Sequence, residues 1–206
     1  MRMRFSPTRM ELLRLGKRLD LATRGHRLLK EKVEGLIQQF TPLVSQYVQL
    51  RSRVILRLLD VLEGFSLASA ASSEEQITRA LVECQGQATL THTTRDIMNV
   101  RIPAFSLEAF GLELSYSLVD TPVQLDQAIT GLQEVFPELL ELAVLEETLR
   151  RLAKEIEKTR RRVNALEYVL IPQLEEGIRQ ITSKLDEMER GTRTQLMKIK
   201  DMLQER

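Results

Sequence analysis

A chain of 206 residues with 43% hydrophobic residues holds enough apolar material for one globular domain or one elongated bundle. Tryptophan is absent and aromatics make up 4%, so the apolar content is Leu, Ile, Val, Ala and Met, which suits packed helices better than sandwiches or enzyme clefts. A net charge of +1 excludes a molecule built throughout as a polyanion binder, and a lone cysteine, Cys84, excludes an internal disulfide.

In chain order, Met1 to Pro7 has no apolar segment of the signal-peptide kind, which predicts a cytosolic setting. Ser6 followed by Pro7 predicts an N-cap with proline in the first turn. From Leu12 the apolar positions advance in alternating steps of three and four: Leu12, Leu15, Leu19, Ala22, His26, Leu29, Val33, Leu36, Phe40, Leu43, Tyr47, Leu50, Val54, and onward to Ala68. A period averaging 3.5 keeps one seam facing a partner helix and imposes a left-handed supercoil. Residues 1–70 are therefore expected to form one coiled-coil helix.

Residues 71–121 lose the heptads. Ser72-Ser-Glu-Glu75 predicts a capping box opening a short helix to about Cys84. Leu112, Leu114, Tyr116 and Leu118 alternate with polar residues, the period of a half-buried strand, and the mate expected for it is Ile97 to Ile102, with Met98, Val100 and Ile102 on one face. Residues 122–206 are expected to be helical again. Thr121-Pro-Val-Gln124 opens a helix that Pro137 breaks or bends, and a long arm starts at about 138. Its seam runs Leu142, Leu145, Leu149, Leu152, Ile156, Thr159, Val163, Leu166, Leu170, Leu174, Ile178, Ile181, Leu185 and Met188. Two consecutive steps of four around Leu170 form a stutter, and Pro172 predicts a bend inside it. The fold class expected is all-α dominated: a long antiparallel two-helix coiled coil with a short helix and a small β-hairpin at the turn. With the tips aligned, Leu19 falls near Met188 and Val33 near Leu174. No apolar run approaches the roughly 18–20 residues of a bilayer crossing, so direct membrane insertion is not expected.

Residues suited to catalysis do not assemble into a motif. Gly16-Lys17 is followed by Arg18 and has Glu11 where a phosphate-binding loop needs its first glycine. His26 lies on the apolar seam as a core histidine, and His92 falls in a polar stretch before the first strand. No cofactor and no metal site are expected. Charge placement says more: residues 1–34 hold ten Lys or Arg against four acids, whereas 102–149 hold no Lys or Arg. Such polarity suits a part that meets different partners at its two ends. Phe5 is the one aromatic among the basic residues of 1–34, which weighs against nucleic acid. Arg160, Arg161 and Arg162 occupy heptad positions outside the seam, and in the tip-aligned register they face residues 43–50, close to Arg51 and Arg53. Together these five arginines are a candidate partner-docking belt.

Three stretches carry a family resemblance: Ser6-Pro-Thr-Arg-Met-Glu-Leu-Leu with Ala22-Thr-Arg-Gly-His-Arg-Leu-Leu-Lys30, Ile97-Met-Asn-Val-Arg-Ile-Pro103, and Glu155-Ile-Glu-Lys-Thr-Arg-Arg-Arg-Val-Asn-Ala-Leu-Glu167 with Ile171-Pro-Gln-Leu-Glu175. The chain resembles the D subunits of V-type and A-type rotary ATPases. The resemblance implies a non-catalytic central-stalk rotor that transmits rotation between ATP hydrolysis or synthesis in a hexamer of A and B subunits and proton or sodium transport in the membrane. It implies further partners in the F subunit and a socket subunit above the membrane rotor ring, and a peripheral location on the cytoplasmic side. Pro7, Arg9, Met10, Lys17, Met197 and Lys200 are then candidate tip contacts with the catalytic ring. The alternative from another class is a free-standing coiled-coil scaffold or chaperone-like protein.

Overall fold

The computed structural model describes residues 6–113 and 121–204. In chain order they form α1 (Arg9–Ala71), α2 (Glu74–Glu83), β1 (Gln85–Ile97), β2 (Val100–Glu113), α3 (Val123–Ala165), a π-helical turn (Leu166–Leu170) and α4 (Ile171–Gln204). The fold is dominated by helix, with a single two-stranded antiparallel sheet among the described residues. Contacts divide the chain into two units, residues 1–35 with 156–206, and residues 36–155.

In the first unit, the start of α1 packs on the end of α3, the π-turn and α4. Leu15, Ala22, Leu174 and Ile181 are buried, flanked by Leu12, Leu19, Leu170, Ile171, Ile178 and Leu185, all but Ile171 seam residues. The pairing is antiparallel. Arg9 reaches Glu189 at 2.5 Å while His26 reaches Glu167 at 3.4 Å, so the partner's number falls as that of α1 rises. These pairs correct the tip-aligned register. Leu174 belongs to the buried cluster of Leu15, Ala22 and Ile181, away from Val33, and Glu189 lies beside Arg9, so Met188 is not opposite Leu19. A heptad seam fits equally well after a slip of seven residues, so periodicity alone had no means of fixing it. The helix start is corrected as well: the Glu11 N–H donates to Thr8 Oγ1 at 3.2 Å, which makes Thr8 the capping residue in place of Ser6.

The stutter takes a definite form. Pro172 has no N–H to give to Tyr168, and the turn ahead of it is wide: the Ile171 N–H reaches the carbonyl of Leu166. A π-turn holds one residue more than an α-turn, which absorbs the extra residue in two consecutive steps of four.

In the second unit, α1 pairs with α3. Leu50, Val54 and Val135 are buried with Val61, Leu139, Leu142 and Leu145 around them, and Arg57 meets Glu138 at 2.8 Å. Further along, Ala68, Ile77, Ala80, Leu125 and Ile129 join α1, α2 and α3, with Phe65 and Cys84 against them. The helices approach closely there. A Cβ added to Gly131 lies 2.8 Å from Val61 Cγ2, and one added to Gly64 lies 3.6 Å from Ala128 Cβ. Pro137 lies inside a continuous α3. The capping box of α2 is Ser73 with Gln76, one residue later than the sequence pattern placed it.

The hairpin differs most from expectation. Ile97 to Ile102 is not one strand, since it contains the turn: Ile97 pairs with Val100 across Met98 and Asn99, both at positive φ (49° and 66°). Two left-handed residues define the turn type that matches the twist of a two-residue hairpin. No Asn-Gly advertises it here, and Met is an unusual occupant of that region. The true mate of β2 is the Thr-rich stretch before Ile97, where Thr91 pairs with Ser106 and Thr93 with Ala104. Leu112 pairs with Gly86, and Leu114, Tyr116 and Leu118 lie outside the described residues.

Candidate partner-binding surfaces

Most of the candidate contact residues lie on helix faces that the seam leaves outward. At the end of the first unit, Arg9 is tied to Glu189, Met10 is 83% exposed, Lys17 is exposed, and Pro7 is half-buried just before α1. On the other helix, Met197 is 66% exposed and Lys200 is exposed. All residues from Asp186 to Gln204 are exposed. Their stripe of Met188, Leu196, Ile199 and Leu203 prolongs the seam where α1 no longer accompanies it. That follows from the corrected register: with Arg9 opposite Glu189, α4 runs about fifteen residues past the start of α1.

Arg160, Arg161 and Arg162 are exposed at the end of α3, as the heptad predicts. Arg161 pairs with Glu157 one turn back; Arg160 and Arg162 have no carboxylate partner among the described residues. Arg162 borders a shallow apolar depression with Leu29, Ala165, Leu166 and Leu170. Its neighbour on α1 is therefore near Leu29, which corrects the expectation that the three arginines face residues 43–50. The cause is the same slip of register. Arg51 and Arg53 belong to the second unit, both exposed, with the Arg51 guanidinium 5.9 Å from the ring centre of Tyr47.

The hairpin lies along α3. Arg151 donates to the carbonyl of Arg101 at 2.9 Å and to Glu147 at 2.6 Å, and Phe110 stacks on Phe136 with ring centres 4.3 Å apart. Arg151 holds the Glu147 carboxyl below its usual range, chiefly through that hydrogen bond. Val100 and Ile102 are buried, as their alternation predicts, while Met98 is exposed at the turn. Arg151 and Phe136 were invisible to sequence reading, because nothing in the helical pattern tells which outward residue a strand will cover. His92 belongs to β1, exposed, with its ring 5.2 Å from that of Phe105.

For inner-sphere or nucleophilic chemistry the described residues offer little. They contain no group of three or more His, Cys, Asp or Glu able to hold a metal, and Cys84 has its thiol pKa raised by burial and by Asp126 and Glu83. No helix among them is long and apolar enough to cross a membrane. What the faces can do is bind other proteins through apolar stripes and fixed charge.

Paired long helices with a short hairpin strapped to one of them define a helical interaction protein. The family model of the ATP synthase D subunit matches residues 11–201, and the chain belongs to that family. It is similar to the V-type ATP synthase D subunit of Acetivibrio thermocellus, 47% identical across 98% of this chain and 93% of the relative. The protein of the same name from Clostridium botulinum (strain Langeland) is 44% identical across 100% of this chain and 98% of its own length. That of Clostridium novyi is 44% identical across 98% and 96%.

Proposed function

We propose that the chain is the central-stalk rotor of a V-type ATP synthase, carrying rotation between a catalytic hexamer of A and B subunits and an ion-translocating membrane rotor. In this reading it performs no catalysis itself. The observation that carries it is the exposed extension of α4 from Asp186 to Gln204, whose apolar stripe lies past the start of α1 and suits burial against other chains. Pro7, Arg9, Met10, Lys17, Met197 and Lys200 belong to that end and are its proposed contacts with the ring. The F subunit and the socket subunit are its further partners, Arg160, Arg161 and Arg162 dock an acidic partner surface, and the complex places the chain peripherally on the cytoplasmic side. The hairpin modulates or docks and does not transmit torque; Met98 at its turn is exposed to a partner, whereas Val100 and Ile102 are buried.

Truncating α4 after Glu189 tests this directly. The shortened chain should keep its seam, from Leu12 to Leu185, yet uncouple ATP hydrolysis from ion transport in a reconstituted complex. Full coupling by the truncated form, or ATP turnover by the pure chain alone, refutes the reading.

A further inference from the structure

The hairpin meets α3 both near its base and near its turn, and its ladder is interrupted in between. Near the base, the Phe110 ring stacks on that of Phe136 with centres 4.3 Å apart. Near the turn, the Arg151 guanidinium donates to the main-chain carbonyl of Arg101 at 2.9 Å, and Val100, Ile102 and Pro103 are buried at that end. Thr89 pairs with Ala109 but Leu90 pairs with Leu107, so Glu108 is a bulged residue with no place in the ladder. A bulge disrupts the ladder locally and lets the ribbon bend and twist there. Beyond it lie eight pairs, from Leu90 with Leu107 to Ile97 with Val100, an arm roughly 25 Å long. Arg151 is held from its other side as well. Glu147, one turn back on α3, accepts from it at 2.6 Å, so the guanidinium keeps a charge partner whether or not the Arg101 carbonyl is in place.

We propose that the outer arm of the hairpin is a strap that swings between a docked and an undocked position on α3. The bulge at Glu108 is its hinge, the stack of Phe110 on Phe136 is its fixed base, and Arg151 is its latch. This deepens, and in its use rests on, the reading of the hairpin as a modulating or docking element. In the isolated chain the docked position dominates, because an undocked arm gives up the Arg151 bond and the burial of Val100 and Ile102. The undocked arm is then a minor state, of about 0.1–10% of molecules. The latch grips a main-chain carbonyl, so it is indifferent to which side chain stands at 101.

The experiment measures spin-label distances by double electron–electron resonance in the isolated full-length chain, in a Cys84→Ser background. Labels at Thr94→Cys and Lys154→Cys, both exposed, follow the arm, and labels at Gln87→Cys and Glu134→Cys, also exposed, follow the base. Arg151→Met keeps a long side chain and removes its donors. It should raise the ratio of long to short arm distances about tenfold or more, and leave the base distances and the melting temperature as in the parent. Arg101→Ala should change neither set of distances. An unchanged arm in Arg151→Met overturns the latch. Base labels that move with the arm show the hairpin leaving as a whole and overturn the hinge. Undocking in Arg101→Ala equal to that in Arg151→Met assigns the hold to that side chain and overturns the proposal, and so does an Arg151→Met chain that melts well below the parent, since Arg151 then serves the fold of its own unit. Coupling in a reconstituted complex is a separate measurement, so failure here leaves the rotor reading in place.

Discussion

At Gly131 the absence of a side chain sets how closely α1 and α3 approach. An alanine there would place its Cβ 2.8 Å from Val61 Cγ2, inside any real contact, whereas at Gly64 the nearest atom is 3.6 Å away, an ordinary contact. Glycine costs an exposed or roomy helix position up to about 1 kcal/mol relative to alanine, and overpacking a fitted one costs about 1–3 kcal/mol. Gly131→Ala should therefore lower stability in urea denaturation despite its helix propensity, and adding Val61→Ala should recover part of the loss. Gly25→Ala, with nothing within 4 Å, should stabilise the chain. The sequence marks all three alike as glycines in helices; only the distance to the neighbouring helix separates them.

Whole elements were legible where their pattern is internal. The seams of α1, α3 and α4 could be read residue by residue, because a buried stripe needs only the helix's own period. Their register could not, since it depends on which heptad of one helix meets which of the other. The corrected pairing makes a sharp expectation. In a background without Cys84, cysteines replacing Arg9 and Glu189 should be joined by a short bismaleimide, and cysteines replacing Leu19 and Met188 should not. The reverse result would restore the tip-aligned register. The hairpin was legible in kind and wrong in place: the alternation of Val100 and Ile102 was read correctly, but the turn at Met98 and Asn99 has no glycine to announce it. At Pro172 the sequence foretold a disturbance, and the π-turn decided its form.

For the whole molecule, the distribution of charge matters more than its total. Arg160 and Arg162 lack carboxylate partners among the described residues, and Arg161 has only an exposed pair within its own helix, of a type that contributes about 0.3–0.5 kcal/mol. Three such residues add little to the fold, yet a partner that desolvates guanidinium–carboxylate pairs can gain more from them. Changing all three to glutamate should leave the isolated chain's helicity and melting nearly unchanged while weakening its assembly with the other subunits. The weakening should shrink as salt is raised, because screening removes the new repulsion. A triple variant that melts far below the parent yet assembles normally when folded would assign the arginines to stability instead.

By itself the sequence determined the helix-dominated class, the seam residues of both long segments and the outward placement of the three arginines, because each follows from periodicity inside one element. Contacts between elements were decided only in three dimensions. Leu174 joins the cluster of Leu15 and Ala22 instead of lying beside Val33, Arg151 holds the hairpin through the Arg101 carbonyl, and the last turns of α4 run on past the start of α1. Repeated heptads make successive slips nearly equal in energy along a uniform seam. The register is therefore chosen by features that do not repeat: the close approach at Gly131, the wide turn before Pro172, and the ion pairs of Arg9 and Arg57 with Glu189 and Glu138.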